Sequence, residues 1–299
     1  MPPGTRTCIR LNSDNQNEHT NTVKSNNKGR MQAHLHDLRR ADEVSLPGYC
    51  RASFGDIADS FDQLFEDFGE LICLEAKSFD TILSTRGTHT VLDCACGTGM
   101  QAIGLAQLGY AVSASDISAK CLATVRSAAE RLGLTINTKR ADFRTLRPWR
   151  GMQFDAVIAS GNSLPLVQQS EEVDQALASM HSVLKPGGCA IIGIRDYGTL
   201  RETRETQLPR RFTLRNGNPE WVMDLRLFGT ERVRVITLFI SAISGKWRLR
   251  SFVKSYLYIS AEDVAKRMQK AGFPGVQLMD LSGCKPYSGG EWFLAVGEK

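Results

Sequence analysis

Val91-Leu92-Asp93-Cys94-Ala95-Cys96-Gly97-Thr98-Gly99 reads as a short buried strand running into a glycine-rich turn, with a helix over residues 101–108 behind it. Such a turn lets backbone amides at a helix N-terminus approach a ligand closely, because glycine has no Cβ and accepts positive φ. By itself it indicates a nucleotide-like ligand and no more. A nicotinamide dinucleotide site uses a third glycine for tight helix packing. Here Gly97-Thr98-Gly99-Met100-Gln101-Ala102 puts Ala102 in that place, so both kinds of ligand stay open.

Around this turn the pattern alternates between strand and helix. Residues 111–115 form the next expected strand, ending at Asp116; Ser118 is a good N-cap for a helix to Leu132, and Gly133 a good stop. Further strands are expected over 135–140, 155–160 and 189–194, with a helix over 171–184 before the last. Lys185-Pro186-Gly187-Gly188 reads as a turn that neither helix nor strand carries through. Upstream, Ile57, Phe61, Leu64, Phe65, Phe68, Leu71 and Ile72 keep helical spacing, and a second helical stretch runs toward Leu83.

After Asp196 the rhythm changes. Residues 197–219 are polar and loop-like, and three β-rich runs follow over 221–227, 232–243 and 247–258, separated by short turns containing Gly229 and Gly245. These read as antiparallel hairpins. Ser260 then caps a helix to Ala271, and strands over 276–281 and 292–296 resume the earlier pattern. The expected class is α/β, a Rossmann-like seven-stranded sheet with an antiparallel β insertion between the fifth strand and the last helix. Residues 46–196 and 259–299 would form the main domain, and 197–258 the insertion.

Composition bounds the rest. The chain has 299 residues, 42% of them hydrophobic, enough for one large core with a small appended layer. Residues 1–45 are polar and rich in Asn, Ser, Thr and Lys, so disorder is expected there. No stretch approaches the roughly 20 apolar residues of a membrane span, and the first residues lack the apolar centre of a secretory signal. The expectation is a cytoplasmic protein with no membrane partner. Eight cysteines scatter through strand and helix patterns, which suits reduced thiols; Cys94 and Cys96 lack the spacing and companions of a zinc site, so no metal is expected. His181 lies in a helix remote from the motifs and reads as structural. A net charge of +5 is modest, without the dense basic patch of a nucleic-acid binder.

Three features weigh on the ligand. Asp93 precedes the turn, where a carboxylate is awkward for a pyrophosphate but suits a cation such as a sulfonium carrying an amino-acid tail. Asp116 ends the second strand about 20 residues on, placed to accept ribose hydroxyls. Ala141-Asp142-Phe143 follows the third strand, with a carboxylate for an adenine amino group and an aromatic for its face.

With Leu184-Lys185-Pro186-Gly187-Gly188 these four motifs, in this order, resemble the class I S-adenosylmethionine-dependent methyltransferases over residues 54–299. The resemblance implies S-adenosyl-L-methionine as cofactor, with Gly97 and Gly99 at its methionine portion, Asp116 and Ile117 at the ribose, and Asp142 and Phe143 at the adenine. Ala95, Cys96, Ala141 and Ser160 complete that cofactor set. Two further stretches, Ser160-Gly161-Asn162-Ser163 and Ile194-Arg195-Asp196-Tyr197, are similar to glycine and sarcosine N-methyltransferases. By that likeness Asn162, Arg195 and Tyr197 form the catalytic set facing a small-molecule acceptor, with Arg195 gripping a carboxylate in its planar fork. Those enzymes have Asn where this chain has Asp196.

The reaction this likeness implies is direct methyl transfer to a lone pair, that of the nitrogen of an amino-acid-like or specialised metabolite, with in-line positioning and water exclusion supplying the rate. Tyr49, Phe54 and Phe61 are candidates for orienting the acceptor, Phe61 reading also as plain core. Methylation of oxygen or carbon, a nicotinamide-dependent dehydrogenase and an inactive cofactor-binding subunit are the alternatives. No aromatic follows the fourth strand to stack a flipped base, which argues against nucleic acid as partner. Basic residues from Arg201 to Lys254 read mostly as a solvated face of the insertion, which would cover the acceptor pocket or serve subunit contacts in a homo-oligomer.

Overall fold

The computed structural model describes residues 61, 64, 65, 67–215, 217–243 and 246–299. The expectations for residues 1–60, among them the polar N-terminal segment, Tyr49 and Phe54, lie outside the described residues. Seven strands form one sheet and four a second. In chain order the elements of the first half are α1 (Phe68–Leu83), β1 (Thr90–Asp93), α2 (Met100–Gln107), β2 (Ala111–Asp116), α3 (Ala119–Arg131), β3 (Asn137–Arg140), β4 (Phe154–Ala159), α4 (Glu171–Ser182) and β5 (Leu184–Arg195). Then come α5 (Tyr197–Thr203), β6 (Gln207–Arg215), β7 (Asn218–Phe228), β8 (Arg232–Ile243), β9 (Lys246–Leu257), α6 (Ala261–Lys270), β10 (Val276–Met279) and β11 (Trp292–Glu298).

The large sheet runs β10-β11-β5-β4-β1-β2-β3, with β11 reversed, antiparallel to both β10 and β5, and the other six strands running the same way. Successive side chains point to opposite faces, and the core divides accordingly. Leu92, Val157 and Ile192 face Val173, Leu177, Val264 and Met268 of α4 and α6. Val91, Ile158 and Ile191 face Phe79, Leu105 and Val125 of α1, α2 and α3. Strand order reverses between β1 and β4, and in sheets of this kind a ligand crevice opens there, outside the carboxyl ends of the strands.

Local chemistry fixes the element ends. Ser118 accepts from the Cys121 amide at 3.2 Å and starts α3, as expected. Ser260 and Asp263 form a reciprocal capping box at α6. The helix expected over 57–72 is corrected: α1 begins at Phe68 because the Asp67 carboxylate takes the Glu70 amide at 2.8 Å. Phe61, Leu64 and Phe65 instead pack with Val222 and Phe239 of the second sheet, so Phe61 is core as its alternative reading held.

Two other expectations are overturned. Lys185-Pro186-Gly187-Gly188 lies within β5, because the extra residues bulge out where the register passes from Phe154↔Leu184 to Ala156↔Cys189. Gly187, at φ +75°, and Gly188 then exchange hydrogen bonds with Lys299 across from them, 3.0 and 2.8 Å. Residues 197–219 are not a loop. Asp196 caps α5 through the Gly198 and Thr199 amides, and β6 pairs with β7, giving the insertion four antiparallel strands in the order β6-β7-β8-β9. The stretch reads as polar because Arg210 and Arg211 of β6 pair with Asp224 and Glu220, while its apolar Phe212 and Leu214 are exposed.

Among the described residues no helix is long and apolar enough to cross a membrane. Cys94, Cys96, Cys121 and Cys189 are buried thiols. The His181 ring packs edge-on against Phe273 and its carbonyl accepts from Lys299, a structural placement.

Gly104 sets how closely α2 lies on α1. A Cβ there would fall 2.7 Å from the Ala76 Cβ and 2.9 Å from the Ile72 carbonyl oxygen. Gly104→Ala gains about 1 kcal/mol in helix propensity, yet backbone cannot yield cheaply and overpacking costs about 1–3 kcal/mol. The expected result is net destabilisation, read as a lower urea midpoint at unchanged slope.

Candidate functional site

The turn between β1 and α2 is held by a single carboxylate. Asp116, at the end of β2, accepts from the Gly97 amide at 3.0 Å with one oxygen and from the Ser118 amide at 2.8 Å with the other. Burial raises its pKa while those amides work to lower it. Gly97 and Gly99 take φ of +51° and +96°, and a Cβ on Gly99 would sit 2.9 Å from a Val125 methyl, so glycine is required at that position. Cys96 is buried behind the turn; its amide donates to Ser115 and its carbonyl accepts from Gly99.

Asp93 lies directly beneath. It is 1% exposed, its Oδ1 accepts weakly from the Ala95 amide at 3.4 Å, and its Oδ2 has no partner. Burial pushes its pKa up to about 7, the Ala95 amide opposing and the Asp116 charge adding to the rise. A buried acceptor left unpaired costs free energy, and the residues that follow this carboxyl, Cys94 and Ala95, line the neighbouring cleft.

A cleft of about 220 Å³ opens above the turn. Ala95, Gly97, Asp116, Ile117, Ala141, Asp142 and Phe143 line it. Ile117 is 60% exposed there, an apolar side chain held in the open at the rim. Ala141 is fixed by its amide bond to the Asp116 carbonyl. Burial works to raise the Asp142 pKa, but two-pronged hydrogen bonds from Arg144 hold the carboxyl below its ordinary range. Arg144 in turn pairs with Glu172 of α4. Gly161, Ser163, Leu166, Val167, Lys254 and Tyr256 also line the cleft.

The three residues expected to face the acceptor stand together, one layer behind that wall. Asn162, in left-handed conformation at φ +69°, follows Gly161 at +66°. Its amide group donates to the Tyr197 hydroxyl and its oxygen accepts from the Arg195 backbone amide at 3.2 Å. Tyr197 stacks on Tyr256 with ring centroids 5.4 Å apart, and it is Tyr256 that reaches the cleft. Arg195 forms an ion pair with Glu291 and its guanidinium lies 4.7 Å from the Trp292 ring centroid. Burial lowers its pKa to about 10, with Arg226 adding. Ser160 is buried against Gly193, its carbonyl accepting from Ser163, and it is absent from the cleft lining.

Sequence reasoning missed Tyr256 as a wall residue and counted Lys254 only among the basic residues of an outer face. Both alternate onto one face of β9, a period-two signal that was present in Phe252, Lys254 and Tyr256. What the sequence did not reveal is that this face turns inward.

Residues 91–188 match the family model of a methyltransferase domain. The chain is 34% identical over 147 residues to the glycine/sarcosine N-methyltransferase of Parasynechococcus marenigrum (strain WH8102), covering 49% of this chain and 52% of that protein. It is 36% identical over 108 residues to the cypemycin N-terminal methyltransferase of a Streptomyces species, covering 36% of this chain and 42% of that one. The chain thus spans about half the length of the curated relatives it matches. In fold it is similar to the sugar N-methyltransferase KedS8 from a Streptoalloteichus species, with a TM-score of 0.68 at 20% identity over 86% of this chain and 98% of that one.

The buried Asp93 makes a prediction about pH. Its folded-state pKa of about 7 stands above the ordinary carboxyl value of 3.8, so the folded state holds a proton that the unfolded chain gives up. Stability of the ligand-free protein should therefore fall as pH rises from about 4 to 7, at up to about 1.4 kcal/mol per pH unit from this group. In Asp93→Asn that component of the slope should vanish. Denaturant melts at pH 5 and 7.5 in both proteins check this; equal slopes would contradict it.

Proposed function

We propose that this chain, a member of the class I S-adenosylmethionine-dependent methyltransferases, transfers methyl from S-adenosyl-L-methionine to an amine of a small-molecule acceptor in the cytoplasm. The single observation that carries the cofactor assignment is the buried, unpartnered Asp93 oxygen beneath a glycine turn that a Cβ would crowd. A cationic ligand fits it; a pyrophosphate does not. The cofactor, when bound, supplies an activated methyl on a sulfonium.

In this reading Asp93, Ala95, Cys96, Gly97 and Gly99 hold the methionine portion. Asp116 and Ile117 hold the ribose, the carboxylate keeping lone pairs beyond the two amides it already serves. Ala141, Asp142 and Phe143 hold the adenine, with Asp142 fixed in direction by Arg144. Ser160 acts through the Ser163 turn. Asn162 and Tyr197 position Tyr256 against the acceptor, and Arg195 offers its guanidinium to an acceptor carboxylate beside Glu291, which bridges it to Arg226. Rate comes from alignment in a closed, dry cleft. No strong base is needed where the amine arrives neutral.

The relatives named for N-methylation, of glycine and sarcosine, of a peptide N-terminus and of a sugar, support nitrogen over oxygen or carbon. The outer face of the insertion supports self-association. Phe212, Trp221 and Trp247 stack in a row there at 5.2 and 5.7 Å, and Trp247 is 59% exposed. A second copy of the chain is the occupant this reading assigns to that row.

Calorimetry with S-adenosylhomocysteine and with NAD tests the cofactor: binding of the first alone is expected, and binding of NAD alone would end the reading. Asp116→Ala should weaken the first by roughly ten-fold or more, because it removes the ribose contact and also frees the Gly97 amide. For the acceptor, a screen of amines, hydroxyls and carbon acids read by a 14 Da mass gain should return an amine, and Arg195→Ala should raise its KM more than it lowers kcat. Light scattering should give a multiple of the chain mass that Trp247→Asp reduces.

A further inference from the structure

We infer that Lys254 is the proton acceptor of this site: its side-chain amine takes the proton from the acceptor ammonium inside the cleft. The inference rests on the methyl-transfer reading above and adds a catalytic group to it that the sequence motifs do not contain.

The placement comes first. Lys254 lies on β9 of the insertion, two residues before Tyr256 and on the same face, and both line the cleft that Asp116 and Ile117 also line. The cleft holds few groups able to exchange a proton. Tyr256 is pushed up to about 12 by burial. The Cys94 thiol is raised well above its ordinary value, again by burial. Asp142 and Asp116 are carboxyls, intrinsically far weaker bases than an aliphatic amine. Among the described lining residues Lys254 is the amine.

Its surroundings favour the neutral amine. Burial is the main cause that lowers the ammonium, to about 8, and the Arg210 charge on β6 adds to it. Asp224 on β7 and the Cys121 thiol on α3 act in the opposite direction. The Asp224 effect is muted because that buried carboxylate already serves Arg210 at 2.7 Å and the Thr237 hydroxyl at 2.7 Å. A base with a pKa near the working pH is the best compromise between being free and being strong, and lysine reaches that range only when desolvated.

The need is equally concrete. An aliphatic amine is an ammonium at neutral pH and has no lone pair to offer. Proton transfer from R–NH3+ to the neutral Nζ of Lys254 leaves R–NH2 and a Lys254 ammonium. The freed pair then forms the N–C bond, while the pair of the methyl's bond to sulfur stays on sulfur. Lys254 returns its proton to solvent before the next cycle. Atoms and charge balance with no further reagent.

The test compares wild type with Lys254→Met and Lys254→Arg. Calorimetry with S-adenosylhomocysteine should give affinities within about three-fold of wild type in both, which also shows that both fold; failure of wild type itself to bind would sink the methyl-transfer reading and not this one. In protein labelled with 13C at lysine Cε, the signal missing from Lys254→Arg identifies Lys254. It should titrate near 8, and a midpoint near the ordinary 10.4 would overturn the proposal. With an amine acceptor from the screen, kcat should fall about 100-fold or more in both variants. The limb of the wild-type profile that rises with pH to about 8 should disappear, and in wild type it should stay in place when an acceptor of different basicity is used. Wild-type kcat in Lys254→Arg, whose guanidinium has no accessible neutral form, would overturn the assignment.

Discussion

One carboxylate holds the nucleotide end of this molecule together. Asp116 takes the Gly97 amide with one oxygen and the Ser118 amide with the other, so the glycine turn and the start of α3 move as one body. Both amides belong to helix entries, where backbone donors have no partner within the helix. Their bonds make it tolerable to bury the charge, against the desolvation that raises its pKa. Ile117, caught between the two bonded segments, is held outward at the cleft rim. Cleft shape, turn geometry and rim all follow from that pair of bonds.

The insertion meets the main domain through an apolar cluster of Val233, Tyr256, Tyr197 and Leu200 and through a layer of charge. Glu291 lies between Arg195 of β5 and Arg226 of β7, and Arg226 also reaches Glu205. Farther along, Asp224 joins Arg210 and Thr237 beside Lys254. Buried ion pairs contribute little net stability, because desolvation offsets their attraction, but breaking one partner away is costly. Such a layer therefore fixes register: the insertion docks in one place or pays for unpaired charge. Asp196 belongs to the same logic. It caps α5 through two amides and accepts from the Tyr287 hydroxyl with its second oxygen.

The alternation of strand and helix, the caps at Ser118 and Ser260 and the four cofactor motifs were legible because each is written in local sequence: a period, a glycine, a capping side chain. Strand β6 was hidden, since a strand with an exposed outer face and arginines on it has the composition of a loop. The bulged start of β5 was hidden because pairing with Lys299, far along the chain, carries the strand through a Pro-Gly-Gly sequence. Arg195 stood out in its motif, but its partner Glu291 is nearly a hundred residues away and no spacing rule joins them. Lys254 and Tyr256 carried a readable period whose direction, inward, depends on how the insertion docks.

Where unsatisfied and strained groups gather says more than how many there are. Asp93 Oδ2, Thr98 Oγ1 and Ser115 Oγ are buried without partners, and all three flank the glycine turn. Asn162 holds a left-handed conformation that a non-glycine residue adopts only when its surroundings impose it, and the bonds to Tyr197 and Arg195 impose it here. Lys254 keeps an ammonium that its burial disfavours. Both helical layers are seated on alternating aliphatic side chains, and Trp149 Nε1, Ser179 Oγ and Arg211 Nε are buried without hydrogen-bond partners away from the turn. Lys254, on one face of β9, lines the same cleft as Gly97 and Asp116. That shared wall ties the insertion to the glycine turn more firmly than its position in the chain does.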